Sequence, residues 1–280
     1  MQNTLIPFKL CMHNVRRLFT SVRALMGVLM GAFAIFCYGE QIRSMCQEYG
    51  VGASPIQVLI CLCSYPFANC FLFVGWAIVI CDAPFMYDTQ LMILLRSGRS
   101  MWYVGQMLYI VVAAICYWIA MTLLSCVLLL GYMGDFFTWG RVINTIARVY
   151  GWPCVPAKVV LSFTVEQAAV LTYVLHLGVS VLLGMLIFAI NIISKRTFGG
   201  VVALVFAFFE LAFTGLGIGS SYYYLSPASL CNLDVLDFNG STYTPSDTYA
   251  YVFIAVGIAL LAIINYIAVR HASMDVRADM

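Results

Sequence analysis

The sequence predicts an all-α integral membrane protein with six transmembrane helices, and three observations carry that prediction. First, 63% of its 280 residues are hydrophobic and its mean hydropathy is +0.96, where soluble domains hold roughly 45–50% apolar residues. Second, the apolar residues gather in runs close to the roughly 20 residues that a spanning helix needs. Third, the chain shows no apolar/polar alternation of the kind that builds a membrane β-barrel. We read residues 1–280 as a single transmembrane domain.

Residues 5–23 are amphipathic. Lys9, His13, Arg16, Arg17, Thr20 and Arg23 recur at spacings of three and four, while Leu5, Phe8, Met12, Val15, Phe19 and Val22 cover much of the other side. A basic helix of this kind lies in the membrane interface, its cations among anionic headgroups. Span 1 covers 24–38 and contains the small-residue pair Gly27 and Gly31, a spacing that permits close helix approach. A polar loop follows over 40–54, then span 2 over 55–80 and span 3 over 101–131. Within the connection 132–164, residues 141–150 are amphipathic: Val142, Ile143, Ile146 and Val149 face one way, Arg141, Asn144, Thr145 and Arg148 the other. Trp139 and Trp152 flank them as belt aromatics would, so an interfacial helix is expected there. Span 4 covers 166–193, a short turn carries Lys195 and Arg196, and span 5 covers 199–218. In the next connection Asn239-Gly240 carries the signal of a tight β-hairpin over 236–243. Span 6 covers 249–268.

Six spans put both termini on one side. The terminal side then holds Lys9, Arg16, Arg17, Arg23, Arg96, Arg99, Lys195, Arg196, Arg270 and Arg277, against Arg43, Arg141, Arg148 and Lys158 opposite. The positive-inside rule makes the terminal side cytosolic, in a multi-pass protein of the cell membrane. Cys46, Cys154 and Cys231 fall outside, where a Cys154–Cys231 bridge is an expectation. The remaining cysteines mostly sit in apolar runs and read as small hydrophobes.

The chain has no Gly-Lys-Ser/Thr phosphate loop and no His-Glu-x-x-His motif, and its three histidines are scattered. No basic patch with interleaved aromatics points to nucleic acid. We therefore expect no catalytic residues and no metal site. His176 in span 4 and Glu210 in span 5 are ionisable groups at membrane depth. Such groups cost roughly 2.5–3.5 kcal/mol to insert and usually face a bundle interior or cavity. Glu210 either lines a substrate route, carries a proton, or is a protonated carboxyl hydrogen-bonded to a neighbouring helix.

The most distinctive stretch is 81–106, a polar interruption between two apolar runs. Asp82, Asp88, Arg96 and Arg99 sit close together there, although only 9% of the chain is charged. Asp88 suits an N-cap, Leu91, Ile93, Leu94 and Leu95 give a short helix, and Gly98 suits a position of positive φ. The predicted helix covers 86–99 and faces the cytosol.

Residues Asp82-Ala83-Pro84-Phe85, then Leu94-Leu95-Arg96-Ser97-Gly98-Arg99-Ser100-Met101-Trp102 and Gly105-Gln106, resemble stretches of small bacterial ABC-2 type permeases, a class related to the type V ABC transporters. The order of elements is similar throughout: amphipathic helix, six spans, a cytosolic helix between spans 2 and 3, and a basic turn between spans 4 and 5. The resemblance implies that 86–99 is a coupling helix seated in an ATPase subunit. Asp88, Arg96 and Arg99 would make polar contacts, Leu91 and Leu94 would be apolar anchors, and Lys195 and Arg196 a smaller second contact. It also implies two copies of an ABC ATPase, which hold the ATP and Mg, and a second permease subunit, the same chain or a homologous one. The long 132–164 connection departs from the simplest members and leaves the substrate open. The alternatives are a secondary transporter or channel, using Glu210 and His176 as its pathway, and a non-transporting immunity or assembly protein.

Overall fold

The computed structural model describes residues 5–84, 94–150, 155–215, 220–238, 240 and 243–271. The molecule is all-helical, and among the described residues β-pairing is limited to two isolated bridges, Ala53 with Met133 and Asp237 with Ser246.

Helix α1 (Ile6–Thr20) and helix α2 (Val22–Tyr49) meet at Ser21, whose extended backbone breaks the helix. The predicted 5–23 amphipathic helix thus ends at Thr20, and Arg23 belongs to α2. α1 has three faces. Leu10, Asn14, Val15 and Leu18 are buried, Lys9, His13, Arg16 and Arg17 are exposed, and Phe8, Met12 and Phe19 are exposed as well. A helix with one face on protein, one apolar and one basic suits a membrane interface.

α2 runs well past the predicted 24–38. Most residues over 40–49, including Glu40, Gln41, Arg43 and Gln47, are unbranched helix formers, and Arg43 pairs with Glu40 one turn away at 3.0 Å. The helix stops only at Gly50, where φ is +61°. The predicted loop over 40–54 is therefore mostly helix. At 28 residues, α2 reaches about 42 Å and overshoots a hydrocarbon core of about 30 Å.

The predicted span 55–80 is two helices, α3 (Pro55–Ser64) and α4 (Pro66–Ile80), bent by 97° at Tyr65. Pro66 supplies the cause: it lacks an N–H to continue the ladder and pushes the preceding residue into extended backbone. Tyr65 has φ −96° and ψ 116°. α3 is almost wholly buried, while Tyr65 and Pro66 at the bend are half-buried.

The helices that follow are α5 (Arg99–Leu128), α6 (Arg141–Thr145) with a π-helical turn Ile146–Tyr150, α7 (Ala157–Ser162), α8 (Val165–Ser194), α9 (Gly199–Gly215) and α10 (Asp247–His271). In the predicted interfacial segment Val142, Ile143 and Ile146 are buried, but Val149 is exposed because the π turn rotates it off that face; Trp152 lies outside the described residues. The hairpin expected over 236–243 is replaced by the single Asp237–Ser246 bridge, with 239 and 241–242 outside the described residues.

Four helices, α2, α5, α8 and α10, are individually long and apolar enough to cross a membrane, and the bent α3–α4 pair makes up to five. α9, at 17 residues, is shorter. The helices run between two ends. At one, Arg23 pairs with Asp82, and Arg99 bonds the backbone of Val269. At the other, Gln57 Nε2 donates to the carbonyls of Asp135 at 3.2 Å and Thr138 at 2.5 Å, and Lys158 Nζ to that of Leu236 at 2.5 Å. Of the four long helices α8 is the most buried: 61% of its most apolar stretch is covered by protein, against 17% for α10. Gly27 and Gly75 bring α2 and α4 into backbone contact, a Cβ on either lying 2.5–2.6 Å from the other's carbonyl oxygen. The small-residue pair of α2 thus serves packing within the chain.

Candidate functional site

Two places gather the residues singled out from sequence. The first is the end of the bundle that holds the α4–α5 and α8–α9 connections. Asp88 and Leu91 lie outside the described residues, with most of 86–99. Leu94 packs half-buried against the core, while Leu95 and Arg96 are exposed. Gly98 has φ +78° and its N–H donates to the Leu94 carbonyl at 2.9 Å, which ends the short helix as its residue type implies. Arg99 is engaged within the chain. Its Nη1 donates to the carbonyls of Val269, at 3.2 Å, and Arg270, closing the C-terminal end of α10.

Lys195 and Arg196 are exposed in the α8–α9 turn. Lys195 holds a left-handed backbone, φ +56°, at the C-cap of α8, and the Arg196 guanidinium lies 5.9 Å from the Phe198 ring centroid. One buried side chain joins the two connections. Asn191 Nδ2 donates to the Cys81 carbonyl at 2.8 Å and the Ala83 carbonyl at 2.7 Å, and its Oδ1 accepts from the Gly199 N–H at 2.8 Å. The amide uses both ends, so the start of the α4–α5 connection and the start of α9 are fixed to one another. The Arg23–Asp82 pair attaches the first turn of α2 to the same region.

The second place is the bend between α3 and α4. Glu210 of α9 and His176 of α8 are both fully buried there and share one network without touching each other. Glu210 Oε1 accepts from Asn232 Nδ2 at 2.6 Å and Oε2 from Asn69 Nδ2 at 2.8 Å. Asn69 Nδ2 also faces the Ala228 carbonyl at 3.3 Å, and its Oδ1 lies 3.2 Å from His176 Nε2. His176 Nδ1 lies 2.8 Å from the Thr172 carbonyl. The imidazole stacks on Phe73, with centroids 5.7 Å apart and planes 7° apart, and meets Trp118 edge to face at 5.0 Å. One turn further along α8, Ser180 accepts from both Trp76 and Trp118, whose indole nitrogens lie 2.8 and 2.9 Å away. These bonds lock the aromatic wall of the cluster.

Asn69 and Asn232 went unnoticed in the sequence. Asn69 carried a signal, as a polar amide one turn into an apolar run that starts at Pro66. Asn232 carried none, since it sits in a connection read as lying outside the membrane. Cys231 belongs to the cluster as well. It is a free thiol whose Sγ donates to the Ala228 carbonyl at 3.0 Å; Cys154, the partner expected for it, lies outside the described residues. Among the described residues no three His, Cys, Asp or Glu side chains converge as a metal-binding group. The cluster can hold charge or a proton away from water; the basic end can dock on a partner.

No protein-family model, curated protein or solved structure matches this chain.

Proposed function

We propose that this chain is the membrane permease subunit of an ATP-driven exporter of the ABC-2 type, which couples ATP hydrolysis by a separate ATPase subunit to movement of a substrate across the cell membrane. The observation that carries the proposal is the Asn191 tie between the α4–α5 and α8–α9 connections. A partner that pushes on one connection moves the other and the ends of α4, α8 and α9 together, which is what a transmission surface requires. Counting the bent α3–α4 pair and α9 as crossings gives six passes, so both termini share the basic end, and the excess of Lys and Arg there orients it to the cytosol. ATP-driven closure of an ATPase dimer would displace that surface and switch the bundle between two packings. The partners on this reading are two ATPase copies, which bind ATP and Mg, and a second permease, in a bacterial membrane. The permease itself performs no chemistry.

Arg96, Lys195 and Arg196 are exposed contact residues of this reading, and Arg99, exposed as well, also closes α10. Gentle purification of the tagged chain from its native membrane is expected to recover a P-loop ATPase. An Arg96→Glu/Arg196→Glu variant is expected to lose most of it while keeping the elution profile of a folded protein. A folded preparation that recovers no ATPase removes the proposal.

A second reading, a secondary transporter, is favoured by one observation: a helix broken at Tyr65 beside two buried ionisable residues. Substrate movement that persists in vesicles without ATP or an ATPase separates it from the first.

A further inference from the structure

We propose that Glu210, Asn69 and His176 form one proton-binding site, in which a proton held on His176 is balanced by the Glu210 carboxylate through the Asn69 amide. The inference goes beyond the permease reading and does not depend on it. It follows from counting donors and acceptors.

The Asn232 amide is fixed by its other bond: its Oδ1 accepts from the Asp234 N–H at 3.0 Å, so its Nδ2 must be the group that faces Glu210. In Asn69, Nδ2 lies beside Glu210 and the Ala228 carbonyl, which can only accept, and Oδ1 is turned to His176. Both oxygens of Glu210 therefore receive N–H donors, which matches a carboxylate. Both nitrogens of His176 face oxygens that can only accept, the Thr172 carbonyl and Asn69 Oδ1, and only an imidazolium donates from both.

Charge balance and surroundings agree with that count. Isolated buried charges are expensive, and an opposed pair bridged by a hydrogen-bonded amide is neutral overall. The parallel Phe73 ring offers its π face to a cation, at a centroid separation of 5.7 Å. Among the described residues, the other ionisable groups facing Glu210 are the thiols of Cys63 on α3, Cys70 on α4 and Cys231 in the 226–232 segment. No Lys or Arg stands among these neighbours, so the positive partner is His176.

The amide also couples the two groups. A protonated Glu210 would need an acceptor, which Asn69 provides only by rotating; Nδ2 then turns to His176 Nε2, which must be unprotonated to accept. Such coupled groups titrate as a unit. A proton that reaches Glu210 thus cancels the charge that holds α4, α8, α9 and the 226–232 segment together, and the site responds to protons at a helix break.

The test is ring-nitrogen NMR of the full-length protein labelled with ¹⁵N-histidine in lipid nanodiscs. The chain has only three histidines, and His13 and His271 are exposed. A His176→Gln variant assigns the His176 signals by their loss. The expected result at neutral pH is a His176 ring protonated on both nitrogens. Glu210→Gln is expected to remove the Nε2 proton and leave Nδ1–H alone. A wild-type His176 that carries only the Nδ1 proton at neutral pH overturns the proposal. A His176 that stays doubly protonated in folded Glu210→Gln overturns the coupling to Glu210.

Discussion

At the scale of the residue, Gly75 and Gly50 differ in what a side chain would meet. A Cβ on Gly75 would lie 2.6 Å from the Gly27 carbonyl oxygen and 2.6 Å from the Tyr117 hydroxyl, which is itself held by the Leu72 carbonyl. A Cβ on Gly50 would meet nothing within 4 Å, and its only strain is the backbone at φ +61°. Gly75→Val should therefore force α2 from α4 and cost on the order of 1–3 kcal/mol or more, as overpacking does. Gly50→Ala should cost about 1–2 kcal/mol, the penalty of the left-handed conformation. Thermal unfolding in detergent should place the Gly75 variant well below Gly50→Ala; the reverse order would contradict the α2–α4 contact. At this scale the sequence was half legible. Glu210 and His176 stood out because charges at membrane depth are expensive, yet the amides that join them did not. An isolated Asn in an apolar run looks like tolerated polarity until a fold brings a carboxylate to it, and Asn232 lies 22 positions from the residue that it satisfies.

At the scale of the element, polarity proved a poor guide to where helices stop, and backbone chemistry a good one. Tyr38, Gly39 and Glu40 looked like the end of a span, but α2 continues to Tyr49 because nothing there breaks a helix before Gly50. Amide hydrogen exchange should show protection over Ile42–Cys46, where Ile42, Met45 and Cys46 are buried. Exchange there as fast as in a free loop would contradict the extension. The α3–α4 break was legible in Tyr65-Pro66, though continuous hydropathy across 55–80 concealed it. Hydropathy measures compatibility with lipid, and a helix buried in protein at a right angle scores as well as one that spans. Most of the predicted 86–99 helix lies outside the described residues; at its described end the helix stops at Gly98, whose positive φ only glycine adopts freely, and Arg99 opens α5.

At the scale of the whole molecule, α8 is the most buried of the four long helices and links the two sites. His176, toward its N-terminal end, belongs to the buried cluster, and Asn191, near its C-terminal end, ties the basic connections together. The fold class was legible because composition alone excludes a soluble globule. We propose that the basic end docks an ATPase. The most direct test is photo-crosslinking in native membranes, with a photoreactive amino acid placed in turn at Arg96, at Lys195 and, as a control at the opposite end, at Tyr243, which is 91% exposed. A P-loop ATPase is expected to be captured from positions 96 and 195 and not from 243. Capture of the ATPase from 243 alone, or capture of no ATPase from any of the three in a folded, membrane-inserted chain, would contradict it.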